Sequence, residues 1–151
     1  MYQPKQQSEC ISNFEYWSKS INACVPCPKS FIRSNSNPFA CYHASNLYKN
    51  FFDAKNYCEQ IGSFLPRPNS TNERQSFANL DSSEYIWLDS LIIRVDERYI
   101  WGDGSSVYGS LKINNYGGSS TVLKQDALAL KGSDIFDNNS QGNSLVICQI
   151  S

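Results

Sequence analysis

The chain has 151 residues, the size of one domain that buries roughly two thirds of the surface its unfolded form exposes. Thirteen basic and fourteen acidic residues give a formal charge of −1, so no long-range field favours nucleic acid or an anionic membrane. Hydrophobic residues at 40% and aromatics at 13% exclude a disordered chain, and no run of about 18 apolar residues could cross a bilayer as a helix.

The opening MYQPKQQSE is polar and lacks an apolar signal core, so a secreted protein would have shed its leader before this point. Residues 1–26 read as an N-terminal extension with scattered aromatics (Tyr2, Phe14, Tyr16, Trp17), tied down by a cysteine loop; residues 27–151 read as the domain itself. CPKSFIRSNSNPFACY has the form of a hairpin, with a Ser/Asn/Pro turn between Phe31-Ile32 and Phe39–Tyr42.

SNLYKNFFDAKNYCEQIG predicts a helix. Leu47, Phe51, Ala54, Cys58 and Ile61 fall on one helical face, and Gly62 is the natural stop. Cys58 then points into the core from the last turn, and its partner belongs on a core strand. In LPRPNSTNERQSFANL, Pro66 and Pro68 keep the connection extended. Ser70 with Glu73 forms a capping box, and Phe77 with Leu80 is the expected buried side of a second, short helix. From Glu84 the period changes to that of strands. Residues 101–121 are rich in Gly, Ser and Asn and predict a long loop, a feature that is often functional. DALAL and NSLVICQI read as two strands around a turn, with Leu145–Ile147 a buried run that ends at Cys148.

Six cysteines, Cys10, Cys24, Cys27, Cys41, Cys58 and Cys148, point to disulfides and an oxidising compartment. CVPC lacks the second pair of a zinc ribbon and the strand–helix setting of a redox motif, and His43 is not at ligand spacing. Cys10 to Cys24 and Cys27 to Cys41 are equally spaced, which suggests two short loops and leaves Cys58 for Cys148. Spacing alone leaves other pairings open.

In this order the motifs resemble the C-type lectin-like domain family over residues 27–148. CPKSFIRSNSNPFACY is similar to the N-terminal hairpin of the family's long form. FFDAKNYCEQIGSFLPRPNSTNERQSF resembles its two helices. YIWLDSL resembles its Trp-Ile-Gly-Leu core strand, with Asp89 where glycine is common. YIWGDGSSV resembles its Trp-x-Asp-Gly-Ser hairpin at Trp101, Asp103, Gly104 and Ser105. The resemblance implies an α+β fold, with two helices packed on small antiparallel sheets, a long loop region and disulfide staples. It implies bridges Cys27–Cys41 and Cys58–Cys148. The latter closes most of the domain into one loop, worth roughly 4 kcal/mol in the loop-entropy model. A further family bridge matches Ala127 and Ser140 here, so both of its cysteines are missing together.

Sugar-binding members of that family hold calcium through a Glu-Pro-Asn or Gln-Pro-Asp triplet in the long loop and a Trp-Asn-Asp strand. Here the loop LKINNYGGSSTVLKQ has neither proline nor acid, and the strand triplet reads Ile135-Phe136-Asp137. Asn114, Asn115 and Asn138 offer neutral oxygens, and Asp126 and Asp134 match no ligand position. This ligand count argues against calcium, and no other metal or cofactor is expected. The segment Asp137–Asn139 reads as an Asx-rich turn. Asp103 reads as a hairpin turn residue with no acid–base partner, and no enzyme is expected. Trp87 and Trp101 are expected in the core. Tyr108 and Tyr116, in the loop, are contact candidates. Two sequons, at Asn69 and Asn138, are glycosylation candidates; a glycan on Asn138 would stand beside the family's ligand face.

The leading expectation is a secreted, non-enzymatic module that recognises a protein without calcium, using Tyr108, Asn114, Asn115, Tyr116, Asp137 and Asn138. A second is a lectin that binds a glycan, calcium-free or through an atypical calcium site. A third is a structural subunit of an extracellular homo- or hetero-oligomer, with Cys10 or Cys24 bridging chains. Nucleic acid and membrane insertion are not expected.

Overall fold

The computed structural model of the chain describes residues 10, 12–34, 37–92, 98–112 and 126–151. Its elements in order are β1 (Glu15–Ser18), β2 (Ala23–Pro26), β3 (Ile32–Ser34), β4 (Asn37–Lys49), α1 (Phe51–Gln60), α2 (Thr71–Leu80), β5 (Ile86–Leu91), β6 (Leu111–Lys112), β7 (Ala127–Lys131), β8 (Asp134–Asn138) and β9 (Ser144–Ile150). β1 and β2 form a two-stranded hairpin, and the rest form one sheet in the order β3-β4-β9-β5-β7-β8-β6. The sheet is mixed rather than purely antiparallel, because β5 runs parallel to β9 and β6 parallel to β8.

Both helices start and stop where local chemistry dictates. The Asn50 side chain accepts the Asp53 amide at 2.8 Å and fixes the start of α1 at Phe51. Leu47, expected on the helix, therefore lies in β4 and is 41% exposed; β4 stays paired with β9 through Tyr48↔Leu145 and Lys49↔Ser144. At the other end Gly62 takes φ +81°. The Ser63 amide donates to Cys58 O and the Gly62 amide to Glu59 O, the two bonds of a Schellman ending. Ile61 sits at this cap, beyond the last buried turn, and is 42% exposed rather than buried.

Ser70 caps α2 by accepting the Glu73 amide at 3.1 Å, and the Glu73 carboxylate accepts the Asn69 amide at 2.9 Å. The buried side of α2 is Arg74, Ser76 and Phe77. Phe77 packs edge-on against Tyr42 at 4.8 Å, whereas Leu80, at the end of the helix beside the Asp81 cap, is exposed.

The alternation of side chains along the central strands builds two cores, one on each face of the sheet. Ile86 and Leu88 of β5, Leu128 and Leu130 of β7, Ile135 of β8 and Leu145 and Ile147 of β9 pack with Phe77 and Trp101. On the other face Trp87, Ala127, Ala129, Val146 and Cys148 pack with Phe51, Ala54 and Cys58 of α1. The two alanines of β7 thus lie on the face that carries α1. Trp87 and Trp101 are both core residues, 0% and 1% exposed. Each indole N–H is satisfied, Trp87 on Lys49 O at 2.7 Å and Trp101 on Asn69 Oδ1 at 2.8 Å.

Three disulfides, Cys10–Cys24, Cys27–Cys41 and Cys58–Cys148, staple the fold. The last joins α1 to β9, near the middle of the sheet. The first lies within the chain, so neither Cys10 nor Cys24 is left for a bridge to another chain. The β1–β2 hairpin is fastened by the Cys27 amide on Phe14 O at 2.6 Å and the Arg33 amide on Asn13 O at 2.8 Å, while Tyr16 enters the α1-side core.

Candidate functional site

Strands β6 and β8 set up one end of the sheet. They run parallel, with Leu111 opposite Ile135 and Lys112 opposite Phe136. The chain therefore leaves β6 toward the end of β8 that carries Asp137 and Asn138. Lys112 reaches Asp134 at 3.1 Å, and its ammonium lies 5.7 Å from the Phe136 ring.

The turn expected at Asp137–Asn139 begins later. Pairing of β7 with β8 continues through Leu128↔Asp137 to Ala127↔Asn138, so Asp137 is a strand residue, 4% exposed. The turn falls after it, where the Gly142 amide donates to Asn139 O and the Gln141 amide to Asn139 Oδ1. Asp126, which has no ligand role in the sequence reading, accepts the Ser140 amide and hydroxyl, each at 2.8 Å. Asp134 opens β8.

Tyr108 is 45% exposed and lies at the approach to β6. Below it, the Arg74 guanidinium donates to Tyr108 O and, at 3.1 Å, to Ser110 O. Arg74 is itself buried, and burial lowers its pKa from the ordinary arginine value. Asn114, Asn115 and Tyr116 lie outside the described residues.

An ion cluster centred on one buried carboxylate occupies the edge of the α1-side layer. Asp89, 1% exposed, is bonded by Lys55 at 2.8 Å and Arg67 at 2.7 Å. Arg67 also stands 3.6 Å from Asp103. Gly102 packs so closely that a Cβ there would overlap the Asp89 carboxylate. Asp89 stands where glycine is common in the family, and Gly102 is the sign in the sequence that backbone comes close to it. In the tight turn that follows, the Ser105 hydroxyl and amide donate to Asp103 and hold its carboxyl below the ordinary aspartate range, with Arg67 adding to the effect.

The residues present do not fit the family's calcium ion. Among the described residues no group of three or more His, Cys, Asp or Glu comes together. Asp137 has only neutral Asn138 after it and Phe136 before it, and the 113–125 segment has no acidic residue. Calcium asks for six to eight oxygens, several of them carboxylate. Of the sequon residues, Asn69 is exposed at the start of α2. Asn138 is half-buried and donates to Ser144 Oγ at 3.3 Å, while the Ser140 hydroxyl of the same sequon is taken by Asp126. Among the described residues no helix is long and apolar enough to cross a membrane.

The family profile for the lectin C-type domain matches residues 48–150. The chain belongs to the C-type lectin domain family, whose members are non-enzymatic binding modules. It is 28% identical to C-type lectin domain family 4 member M of Nomascus concolor, over 83% of this chain and 32% of that protein. It is also 28% identical to the CD209 antigen of Homo sapiens, over 83% of this chain and 31% of that protein. The chain thus spans about a third of the length of these relatives. Among solved structures, the mouse scavenger receptor C-type lectin carbohydrate-recognition domain superposes with a TM-score of 0.69 at 22% identity, covering 83% of this chain and 98% of that one. The cow CD23 C-type carbohydrate-recognition domain, solved with a GlcNAc2Man3 oligosaccharide, gives 0.68 at 16% identity, covering 84% and 97%.

Proposed function

We propose that this domain is a lectin that binds a glycan, without calcium, at the end of the sheet where β6 and β8 lie side by side. The observation that supports the reading is the parallel β6–β8 register, in which β6 ends at Lys112 beside Phe136, next to Asp137 and Asn138 in β8. Asn114, Asn115 and Asn138 would exchange hydrogen bonds with sugar hydroxyls and Tyr116 would stack on a sugar face, with Asp137 buried behind them in β8; Tyr108, before β6 and so at the Asp134 end of the pair, would meet a further residue of an extended glycan. The lectin and carbohydrate-recognition names of the relatives support a glycan over the protein partner that the lost calcium ligands first suggest. Three disulfides support an extracellular setting, with secretion part of the proposal.

The test is a glycan array probed with and without chelator. Equal binding in both conditions is expected. Binding abolished by chelator would overturn the calcium-free part, and no binding in either condition would overturn the glycan itself. A protein partner is the second reading, favoured by the half-exposed Tyr108 ring, since aromatic anchors also centre protein interfaces.

A further inference from the structure

Arg74 poses a charge problem. It sits in the first half of α2, 8% exposed, and none of the described carboxylates forms an ion pair with it. Its two fixed partners are neutral backbone carbonyls, Tyr108 O and Ser110 O, and its Nε–H has no partner among the described residues. Asp134 acts on it only at longer range and is already paired with Lys112. A buried cation is ordinarily compensated by an anion and by hydrogen bonds to each of its donors.

The same guanidinium lines an open depression of about 300 Å³. The other walls are Thr71 and Gln75 of α2, Tyr108, Gly109 and Ser110 before β6, and Ser133 in the β7–β8 turn. The side chains there are hydroxyls, an amide and a half-exposed aromatic ring. They can surround an oxyanion with neutral donors while the arginine supplies the charge. Gly109, at φ +81°, is needed here, because a Cβ would press on the Arg74 guanidinium. A guanidinium with spare donors suits a planar carboxylate or a sulfate oxygen pair.

We propose that this depression is a seat for an oxyanion, the sulfate or carboxylate group of an acidic sugar, with Arg74 as its charged anchor. It lies beside Tyr108 on the approach to β6, at the end of the β6–β8 pair opposite Asp137 and Asn138, where a charged substituent of an extended glycan would be received. The identity of the carrier as a sugar rests on the glycan reading above; the oxyanion seat itself does not.

The test is amide NMR of the whole chain titrated with four probes: inorganic sulfate, glucuronate, a sulfated monosaccharide and the same monosaccharide without sulfate. Sulfate and glucuronate are expected to shift Gln75, Tyr108, Gly109 and Ser133. The sulfated sugar is expected to bind at least about tenfold more tightly than its neutral parent, the size of one lost charge-assisted bond. Arg74→Gln is expected to abolish the effect. Because Arg74 also ties down residues 108–110, Ser133→Asp is the companion variant: it places a carboxylate in the exposed part of the depression, and the same loss is expected with the fold intact. No response to either oxyanion would overturn the seat, as would unchanged anion binding in folded Ser133→Asp. A neutral sugar that binds as well as its sulfated form would overturn the seat and leave the glycan reading standing. Oxyanion shifts with no sugar binding would remove the glycan reading and leave the seat.

Discussion

Asp126 holds Ser140 by two bonds at once, accepting the backbone amide on Oδ1 and the hydroxyl on Oδ2, each at 2.8 Å. Ser140 is 1% exposed, and its own carbonyl accepts the first amide of α1, Phe51, at 2.9 Å. One carboxylate thus fixes a turn that also touches the start of a helix. Ser140 stands where the family resemblance places a cysteine, so a polar clamp occupies the neighbourhood of the absent bridge.

Asp126→Ala is therefore expected to cost about 2–3 kcal/mol, since it removes two charge-assisted bonds and leaves a buried amide and hydroxyl unpaired. Urea unfolding measures the loss. Asp126→Asn, which keeps one acceptor oxygen, is expected to fall between. Wild-type stability in Asp126→Ala would show that the clamp contributes nothing.

Asp89 and Gly102 form a coupled pair. Gly102→Ala is expected to destabilise by about 2 kcal/mol, because the new methyl meets a carboxylate that Lys55 and Arg67 hold in place. In an Asp89→Gly background the same change has room. A double-mutant cycle is expected to return a coupling of about 1 kcal/mol or more in that direction. Strict additivity would contradict the packing account.

The disulfides should rank by the loops they close. Cys58–Cys148 spans 90 residues and Cys10–Cys24 spans 14. Replacing both cysteines by alanine is expected to cost about 1–2 kcal/mol more at the first bridge than at the second in the loop-entropy model. Thermal unfolding of the two variants gives the order.

Asp103 supplies a pH signature. Its folded carboxyl titrates below the ordinary aspartate range. The stability this gives is complete above the unfolded value and is lost as pH falls through the folded one. Carboxyl NMR should find its midpoint lower than that of a free aspartate. Ser105→Ala removes the largest cause and is expected to raise it.

Much of the fold was legible because its signals are local. Gly62, the Ser70–Glu73 box and the Leu-Val-Ile run before Cys148 each act within a few residues, and each is found where it was read. The misreadings arise where tertiary pairing overrides local pattern. Leu47 fits the helical period, yet Asn50 caps the helix after it and β9 claims the strand. Asp137 carries turn chemistry, yet pairing with Leu128 keeps it in β8. At the candidate site, Tyr108 and Asp137 could be named from the sequence. Arg74 could not, because an arginine on a polar helix normally faces water; only the fold reveals what it is packed beneath.

Arg74 grips residues 108 and 110 on the way into β6, and Asp126 grips Ser140 where β7 begins. Residues 113–125 are thus bracketed by two fastenings that belong to the framework and not to the segment. The framework thus supplies two fixed posts, one on α2 and one at the β8–β9 turn: a change that loosens either is expected to be felt at Lys112 or at Asp126 before it reaches the disulfides.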